Sequence, residues 1–240
     1  RLARCEVVSY ALPALIAVGH VAAQKNPASC PVARGIRALV SRPALRLLER
    51  IQPESGGFLE AIPLTAFVVI ALLAAGERSH PAVARGLGFL RHTARPDGSW
   101  PIDANLSCWL TSLSVHALAT AGIADEAGMA WLLGRQQRGV HPYTQTPPGG
   151  WAWTHLSGGV PDADDTAAAL IALATTNSRG PSSTVRYADA ATRGLRWLLD
   201  LQNADGGFPT FCRGWNRLPF DRSAPDLTAH ALRACHAWKN

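Results

Sequence analysis

Four strongly apolar segments recur along the chain, and each follows closely on an acidic residue. Glu60 precedes LTAFVVIALLAA, Asp103 precedes CWLTSLSVHALATA, Asp164 and Asp165 precede TAAALIALATT, and Asp226 precedes LTAHALRAC. Apolar residues occupy nearly the whole circumference of a helix drawn through each segment. Helices of this kind are buried in globular proteins. The pattern therefore predicts four buried helices whose N-terminal ends carry carboxyl groups.

Amphipathic segments alternate with the apolar ones. They cover residues 82–92, 126–137 and 187–202, where apolar positions recur with the helical period. Alternating buried and amphipathic helices predict an all-α protein with an inner and an outer layer, which is an α/α toroid, a double ring of helix pairs. Because the inner helices of such a ring run parallel, we expect their acidic N-terminal ends to gather at one end of a central cavity. We expect one domain over residues 1–240.

A short loop motif recurs at intervals of about 40 to 60 residues, which is the range of helical repeat proteins. Each copy has glycine, then glycine or serine, then an aromatic residue. The copies are Gly56-Gly57-Phe58, Gly98-Ser99-Trp100, Gly149-Gly150-Trp151 and Gly206-Gly207-Phe208. We expect Trp100, Trp151 and Phe208 of these loops, together with Trp197, to be part of the structural scaffold.

The net charge of the chain and its distribution narrow the classes of partner that the protein could bind. The formal net charge is +6, and the densest basic stretch, residues 34–50, contains no aromatic residue that could stack on bases. We therefore expect no nucleic-acid partner, and an anionic lipid surface fits the charge better. The longest uncharged run, residues 61–76, is too short for a membrane-spanning helix.

The cysteines are odd in number and none are closely paired. They are Cys5, Cys30, Cys108, Cys212 and Cys235. This pattern argues against a disulfide framework and against a zinc knuckle, so we expect free thiols in a reducing compartment. The chain begins at Arg1 and its one methionine is Met129, so we expect it to be a fragment or a processed form of a longer protein.

The densest acidic cluster is PDADDTA, with Asp162, Asp164 and Asp165. One interpretation is a helix N-cap, because aspartate is favoured there and the helix dipole stabilises anions. A second interpretation is a general acid. Three carboxylates in a dry cavity repel one another, which raises at least one pKa, and a neutral carboxylic acid can then donate a proton. The helix dipole opposes that effect, and the sequence alone leaves both interpretations open.

Three motifs resemble those of the squalene–hopene cyclases, which are class II terpene cyclases. Residues 149–170, GGWAWTHLSGGVPDADDTAAAL, are similar to the family's Gly-Gly-aromatic loop followed by DxDDTA. Residues 193–211, RGLRWLLDLQNADGGFPTF, are similar to its QW repeat, with Phe208 in place of the usual Trp. LPF at 218–220 and PDLTAHAL at 225–232 follow in the family's order. A weaker QW repeat covers residues 85–100.

The resemblance implies an α/α toroid built from QW repeats and a proton-initiated cyclisation. Asp164 matches the proton donor, and Asp162 and Asp165 match its supporting carboxyl groups. His230 matches the histidine that hydrogen-bonds the donor, and Asp226 matches the acid that supports this histidine. Protonating a carbon–carbon double bond demands a strong acid, and a positive partner stabilises the conjugate base.

Four aromatic residues match positions that line the family's cavity. They are Trp109, Trp153, Phe211, where the family usually has Tyr, and Phe220. Aromatic faces stabilise carbocations through the cation–π attraction, although each of these residues fits a plain core equally well. The segment THLSGGV, with His155, stands where the family usually has acidic and tyrosine residues.

The resemblance also implies a substrate and a location. The substrate is a linear polyprene such as squalene, the product is a hopene-type triterpene, and no cofactor or metal is required. The protein is expected to be a cytoplasmic enzyme that contacts the membrane peripherally and pairs with a second copy. The acid-bearing region is residues 149–240 of a longer cyclase.

Two other functions fit parts of the sequence. The first is a non-catalytic isoprenoid-binding or scaffold protein on the same fold. The second is a protein prenyltransferase β-subunit, which shares the toroid but needs zinc held by Asp, Cys and His. The chain has no Asp-x-Cys pair, which disfavours the second.

Overall fold

A computed structural model describes residues 11–141, 145–175, 181–211 and 219–239. Within these ranges the chain forms nine α-helices and no β-strand, so the predicted all-α class is confirmed. The helices are α1 Leu12–Lys25, α2 Pro31–Ile51, α3 Ile62–Ala74, α4 Pro81–Thr93, α5 Ser107–Thr120, α6 Glu126–Leu133, α7 Ala163–Ala174, α8 Pro181–Leu201 and α9 Pro225–Ala237. Single 3₁₀ turns cover Phe58–Glu60 and Pro219–Asp221.

The helices fall into two compact units. Among the described residues, the first unit comprises those between 11 and 105 together with 156–158, and the second comprises those between 106 and 155 and between 159 and 239. In the first unit α1 packs on α2 and α3, and α4 packs on α2 and α3. In the second unit α5, α7 and α9 pack in succession, while α6 contacts α5 and α7, and α8 contacts α7 and α9. In the second unit, α6 and α8 from the amphipathic segments therefore pack against helices from the apolar segments, as the pattern predicts.

Helix α7 is the core of the second unit. Every residue from Asp165 to Leu173 is buried. The helix is rich in alanine, which lets neighbouring helices approach closely. Leu170 and Leu173 belong to the same buried cluster as Tyr187 and Trp197 of α8. Burying one leucine side chain stabilises the folded chain by about 1.5–3 kcal/mol. The prediction of a fully buried helix is confirmed for α7.

Helices α3 and α5 differ from this prediction. On α3 the side chains of Phe67 and Ile70 are exposed, and on α5 those of Leu110 and Leu113 are exposed. The expectation that both helices are buried all round is therefore wrong. An apolar circumference shows that a helix carries few charged side chains, but it does not show how many other helices pack around it.

Three of the four glycine-aromatic loops are anchored in the same way. The backbone N–H of the aromatic residue donates to the hydroxyl of a threonine near the start of the following helix. The pairs are Phe58 to Thr65 at 2.9 Å, Trp151 to Thr166 at 2.9 Å and Phe208 to Thr228 at 3.0 Å. All three aromatic side chains are buried, which the scaffold interpretation predicts for Trp151 and Phe208.

Trp100 departs from the pattern. Its side chain is half exposed, and its indole N–H donates to the Leu90 carbonyl at 2.7 Å. The scaffold prediction therefore holds for Trp151, Trp197 and Phe208 as buried residues, whereas Trp100 lies at the surface.

No helix in the described part of the chain is long and apolar enough to cross a membrane. Cys30, Cys108 and Cys235 are free thiols, and Cys5 and Cys212 lie outside the described residues.

Candidate active site

Asp162 caps helix α7. Its backbone is extended, and its carboxylate accepts the Asp165 N–H at 2.8 Å. Its own N–H donates to the carbonyl of Trp151 at 3.1 Å. The helix-cap interpretation of the acidic cluster is thus confirmed for this residue, and the cap ties the start of α7 to the anchored Gly-Gly-Trp loop.

Burial perturbs the Asp162 carboxyl group. The side chain is almost fully enclosed, and this desolvation raises its pKa well above the ordinary value. The neighbouring charge of Asp165 raises the pKa further, as do a side-chain hydrogen bond between the two groups and the charge of Asp164. The backbone N–H of Asp165 opposes these effects. The environment of Asp162 therefore favours the neutral form of its carboxyl group.

Asp164 contacts a residue of a different helix. It lies on the first turn of α7, where its Oδ1 is 2.5 Å from Nδ1 of His230 on α9. The Asp164 side chain is 39% exposed and that of His230 is 18% exposed. When Nδ1 carries a proton, this contact is a charge-assisted hydrogen bond. The predicted pairing of the two residues is present in the structure.

Trp109 adds a third helix to this site. Its ring meets that of His230 edge to face, with centroids 6.4 Å apart and planes at 89°. The first turn of α5 is held by the Trp153 carbonyl, which accepts the N–H groups of Cys108 and Trp109 at 3.0 and 3.2 Å. Helices α5, α7 and α9 thus supply Trp109, Asp164 and His230 to one group.

The other three candidate aromatic residues form a row. Trp153 contacts Phe211 at 6.0 Å between centroids, and Phe211 contacts Phe220 at 5.6 Å, both edge to face. The row is fixed to α7, because the Ala163 N–H donates to the Thr210 carbonyl at 2.8 Å. Trp109, Trp153 and Phe211 are half-buried and Phe220 is exposed. These rings therefore keep accessible surface that a plain core would cover.

The indole N–H of Trp153 is buried without a hydrogen-bond partner among the described residues. Buried polar groups are usually paired, since an unpaired donor costs about 1–3 kcal/mol. Sequence reasoning named Trp153 for its ring face only, and no local signal indicates this orphan donor.

Two other residues singled out in the sequence, Asp226 and His155, make fewer contacts with the site. Asp226 lies one turn before His230 on α9, where it is exposed, and no hydrogen bond joins the two in the described part of the chain. Its supporting role stays a prediction. His155 is exposed, with Nδ1 2.8 Å from the Ser107 hydroxyl and its ring against Trp131. Leu218 of the LPF motif lies outside the described residues.

The described residues contain no group of three or more His, Cys, Asp or Glu side chains arranged to hold a metal ion.

Comparisons with a family model and with known proteins point to the same protein family. Residues 105–223 match the model of the squalene–hopene cyclase C-terminal domain. The chain is 33% identical over 210 residues to a squalene–hopene cyclase of Alicyclobacillus acidocaldarius, covering 78% of this chain and 33% of that protein. It is 28% identical over 211 residues to a sporulenol synthase of Bacillus subtilis, covering 78% and 32%.

A fungal relative is also similar. The enfumafungin synthase of Hormonema carpetanum is 30% identical over 210 residues, which are 78% of this chain and 16% of that protein. The chain therefore spans a third or less of the length of these curated relatives.

The helical structure of the chain fits the α/α toroid of the matched domain family. From the motifs, the helices and these matches together, the chain belongs to the family of squalene–hopene cyclases and related terpene cyclases.

Proposed function

We propose that the protein is a class II terpene cyclase in which Asp164 protonates a linear polyprene such as squalene, giving a polycyclic hopene-type product. The observation that carries this proposal is the Asp164–His230 contact at 2.5 Å, at the start of α7 and beside Trp109. The names of the relatives, which are cyclases and synthases of terpenoid products, support the reaction class.

The proposed reaction begins at Asp164, which is the partly exposed carboxyl group of the cluster. Its proton forms a C–H bond with a terminal double bond, whose electron pair is consumed, and a tertiary carbocation remains. Internal double bonds then attack in turn. The last cation either loses a proton to solvent or adds water and then loses a proton to solvent, and solvent returns a proton to Asp164. A protonated His230 stabilises the carboxylate left on Asp164. A neutral Asp162 adds no competing negative charge beside it.

The half-exposed aromatic rings provide the second part of the proposal. A ring face stabilises a nearby cation by about 0.5–2 kcal/mol and does not add to it as a nucleophile. Trp109 packs edge to face against His230, the partner of the acid, and would meet the first cation. The row of Trp153, Phe211 and Phe220 would stabilise cations formed later.

The test is product analysis of the full-length protein and of Asp164→Asn, incubated with squalene and with shorter polyprenes. Asparagine keeps the size of the side chain but has no carboxyl proton to donate. We expect cyclic products from the wild type and a loss of about 10²–10⁴-fold in rate in the variant. Asp200→Asn, an exposed carboxylate on α8, is the matched control and should retain the wild-type rate.

Cyclic product formed by Asp164→Asn at the wild-type rate would remove Asp164 from the mechanism. Absence of product from every polyprene, with the wild type shown to be folded, would instead assign the family fold in this protein to isoprenoid binding without catalysis.

A further inference from the structure

A serine, a histidine and a glutamate of the first unit meet in one chain of hydrogen bonds. The Ser41 hydroxyl on α2 lies 2.8 Å from Nδ1 of His20 on α1. On the other side of the ring, Nε2 of His20 lies 3.0 Å from Oε1 of Glu77, which follows α3. A nucleophile bonded to a base that a carboxylate orients is the arrangement of a catalytic triad, and such a triad is recognised by its geometry, whatever the sequence positions.

The end of α3 holds Glu77 in place. The Glu77 N–H donates to the Leu72 carbonyl at 3.0 Å, and the Gly76 N–H donates to the Leu73 carbonyl at 3.0 Å. Gly76 has a φ of 81°, which completes a helix ending of the Schellman type. The carboxylate is therefore presented to His20 by a well-ordered turn.

Glu77 selects the tautomer of the histidine. An ionised carboxylate only accepts hydrogen bonds, so the contact requires the ring proton on Nε2 and leaves the lone pair of Nδ1 for the Ser41 hydroxyl. The Gln24 amide, 3.1 Å from the same Nε2, fits this tautomer when its oxygen faces the ring. The side chain of His20 is 9% exposed and that of Glu77 is 33% exposed, so water competes little for the ring.

The Ser41 hydroxyl is directed differently from other hydroxyls inside the helices. The usual partner is the carbonyl four residues earlier, as found at 2.7–2.9 Å for Ser112, Thr120 and Thr228. Ser41 bonds to His20 instead, and the residue is partly exposed. The proton of this hydroxyl therefore has a base within reach at a place that can be approached from the surface.

We propose that Ser41, His20 and Glu77 form a second reactive site, in which Ser41 accepts the acyl group of an activated carboxylic ester and then releases it to water. The Ser41 Oγ forms a bond to the acyl carbon while its proton passes to Nδ1 of His20. The bond from the acyl carbon to the leaving group then breaks, and the departing oxygen takes that proton.

Water completes the cycle by the same two steps. It adds to the acyl carbon and gives a proton to Nδ1 of His20, and Ser41 Oγ takes this proton back as the carboxylic acid leaves. Glu77 is a positioning residue, which holds the tautomer and stabilises the imidazolium formed in each half of the cycle. The site shares no residue with the Asp164 group and does not rest on the proposed cyclisation.

The helix around Ser41 restricts the substrate. Inside an α-helix the backbone N–H groups donate within the helix, so they are not available to an oxyanion. Positive charge on α2 comes from exposed arginines, of which Arg37 lies one turn before Ser41. We therefore expect reaction only with substrates whose leaving group departs readily, such as nitrophenyl esters and fluorophosphonates.

The experiment treats the full-length protein, without polyprene, with a fluorophosphonate probe. The serine oxygen replaces fluoride on phosphorus, and fluoride and the serine proton enter the solvent. We expect peptide mass spectrometry to find the adduct on Ser41, and Ser41→Ala should remove it. His20→Gln should slow labelling about a hundredfold, because the base is lost. Glu77→Gln should slow it about tenfold, because a neutral amide no longer fixes the tautomer.

A nitrophenyl ester gives a second readout. The wild type should release an early burst of nitrophenolate as Ser41 is acylated, and Ser41→Ala should lack this burst. Ser114→Ala is the matched control, since Ser114 is an exposed serine on α5. It should be labelled like the wild type. Circular dichroism of each variant checks that it is folded.

Two outcomes would overturn the proposal. One is the absence of an adduct on Ser41 in the folded wild type, and the other is labelling that neither His20→Gln nor Glu77→Gln slows. Either result would assign the three side chains to a structural contact between α1, α2 and the end of α3. Because the probe reaction involves no polyprene, the outcome is independent of whether the protein forms cyclic products.

Discussion

The two compact units build the same loop anchor and place different acids beside it. In each, a glutamine side chain donates to the carbonyl of the loop's first glycine, a threonine hydroxyl accepts the N–H of the loop aromatic, and an aromatic ring of the outer helix covers the second glycine. The residues are Gln52, Thr65 and Phe89 in the first unit and Gln136, Thr166 and Trp197 in the second. Close packing leaves no room for a side chain at Gly57 or Gly150.

The acids that follow the two loops have different surroundings. Glu60 is fully buried, and its Oε1 accepts the Ser55 hydroxyl at 2.9 Å and the Gly158 N–H at 3.0 Å. Its Oε2 has no partner among the described residues. Asp164 is partly exposed and meets His230. The comparison teaches that the repeat supplies the scaffold, while an accessible acid with a histidine partner is found on α7 and not at the start of α3.

The largest expected effect is on stability, and it tests whether the loop anchors of the two units contribute equally to the free energy of unfolding. Phe58→Ala and Trp151→Ala each remove a fully buried aromatic ring at the same place in the repeat. Each should cost about 3–5 kcal/mol of unfolding free energy, measured by urea denaturation. Trp100→Ala is the control and should cost far less, because Trp100 is half exposed. A small cost for one of the two buried aromatics would show that its unit does not rely on the anchor.

A second prediction sharpens the difference between the acids. His230→Gln keeps a polar side chain beside Asp164 but removes the imidazole nitrogen that can carry a proton. We expect the cyclisation kcat to fall about a hundredfold, equivalent to about 2.7 kcal/mol, with little change in KM. Glu60→Gln should leave kcat within the same order of magnitude. An equal loss of kcat in both variants would contradict the assignment of the acid role to α7 alone.

The smallest expected effect concerns pH. Burial raises the folded-state pKa of both Glu60 and Asp162, more strongly for Asp162. A raised folded-state pKa contributes stability that is full below the unfolded pKa and is lost as pH rises through the folded pKa. The loss therefore begins above the ordinary values of 4.5 for Glu60 and 3.8 for Asp162.

Glu60→Gln and Asp162→Asn should each flatten the fall in unfolding free energy as pH increases. The slope removed is at most about 1.4 kcal/mol per pH unit for one proton. Asparagine remains a good N-cap, so Asp162→Asn separates ionisation from capping. Urea denaturation over a pH series measures both variants, and Asp200→Asn should keep the wild-type slope. A pH profile unchanged in Glu60→Gln and Asp162→Asn would mean that neither carboxyl group changes its pKa on folding.

The sequence predicted the parts of this structure that depend on local pattern. The apolar circumference located α7, the loop motif located the buried Trp151, and the clustered acids predicted the cap at Asp162. The Asp164–His230 pair joins residues 66 positions apart. It was anticipated only through the family motifs, since periodicity cannot relate two helices across such a distance.

Other features depend on contacts that no local pattern encodes. The burial of Glu60 requires Gly158, which lies 98 positions away. Leu59 and Glu60 adopt left-handed backbone angles, with φ of 56° and 54°, which neither residue type favours. Helix α2, with Pro43 inside it and arginines throughout, does not show the apolar pattern that identified α3 and α7.

The threonine anchor has a consequence for how this scaffold accommodates change. At α7 it lies one helical turn beyond Asp162, so the first-turn side chains are separate from the contact that fixes the loop. Substitutions in that turn can change the charge and length of its side chains while the aromatic residue of the loop stays buried. New chemistry can therefore be engineered in this fold by substituting residues in the first turn of an inner helix. The glutamine, the paired glycines and the threonine that anchor the loop must be retained.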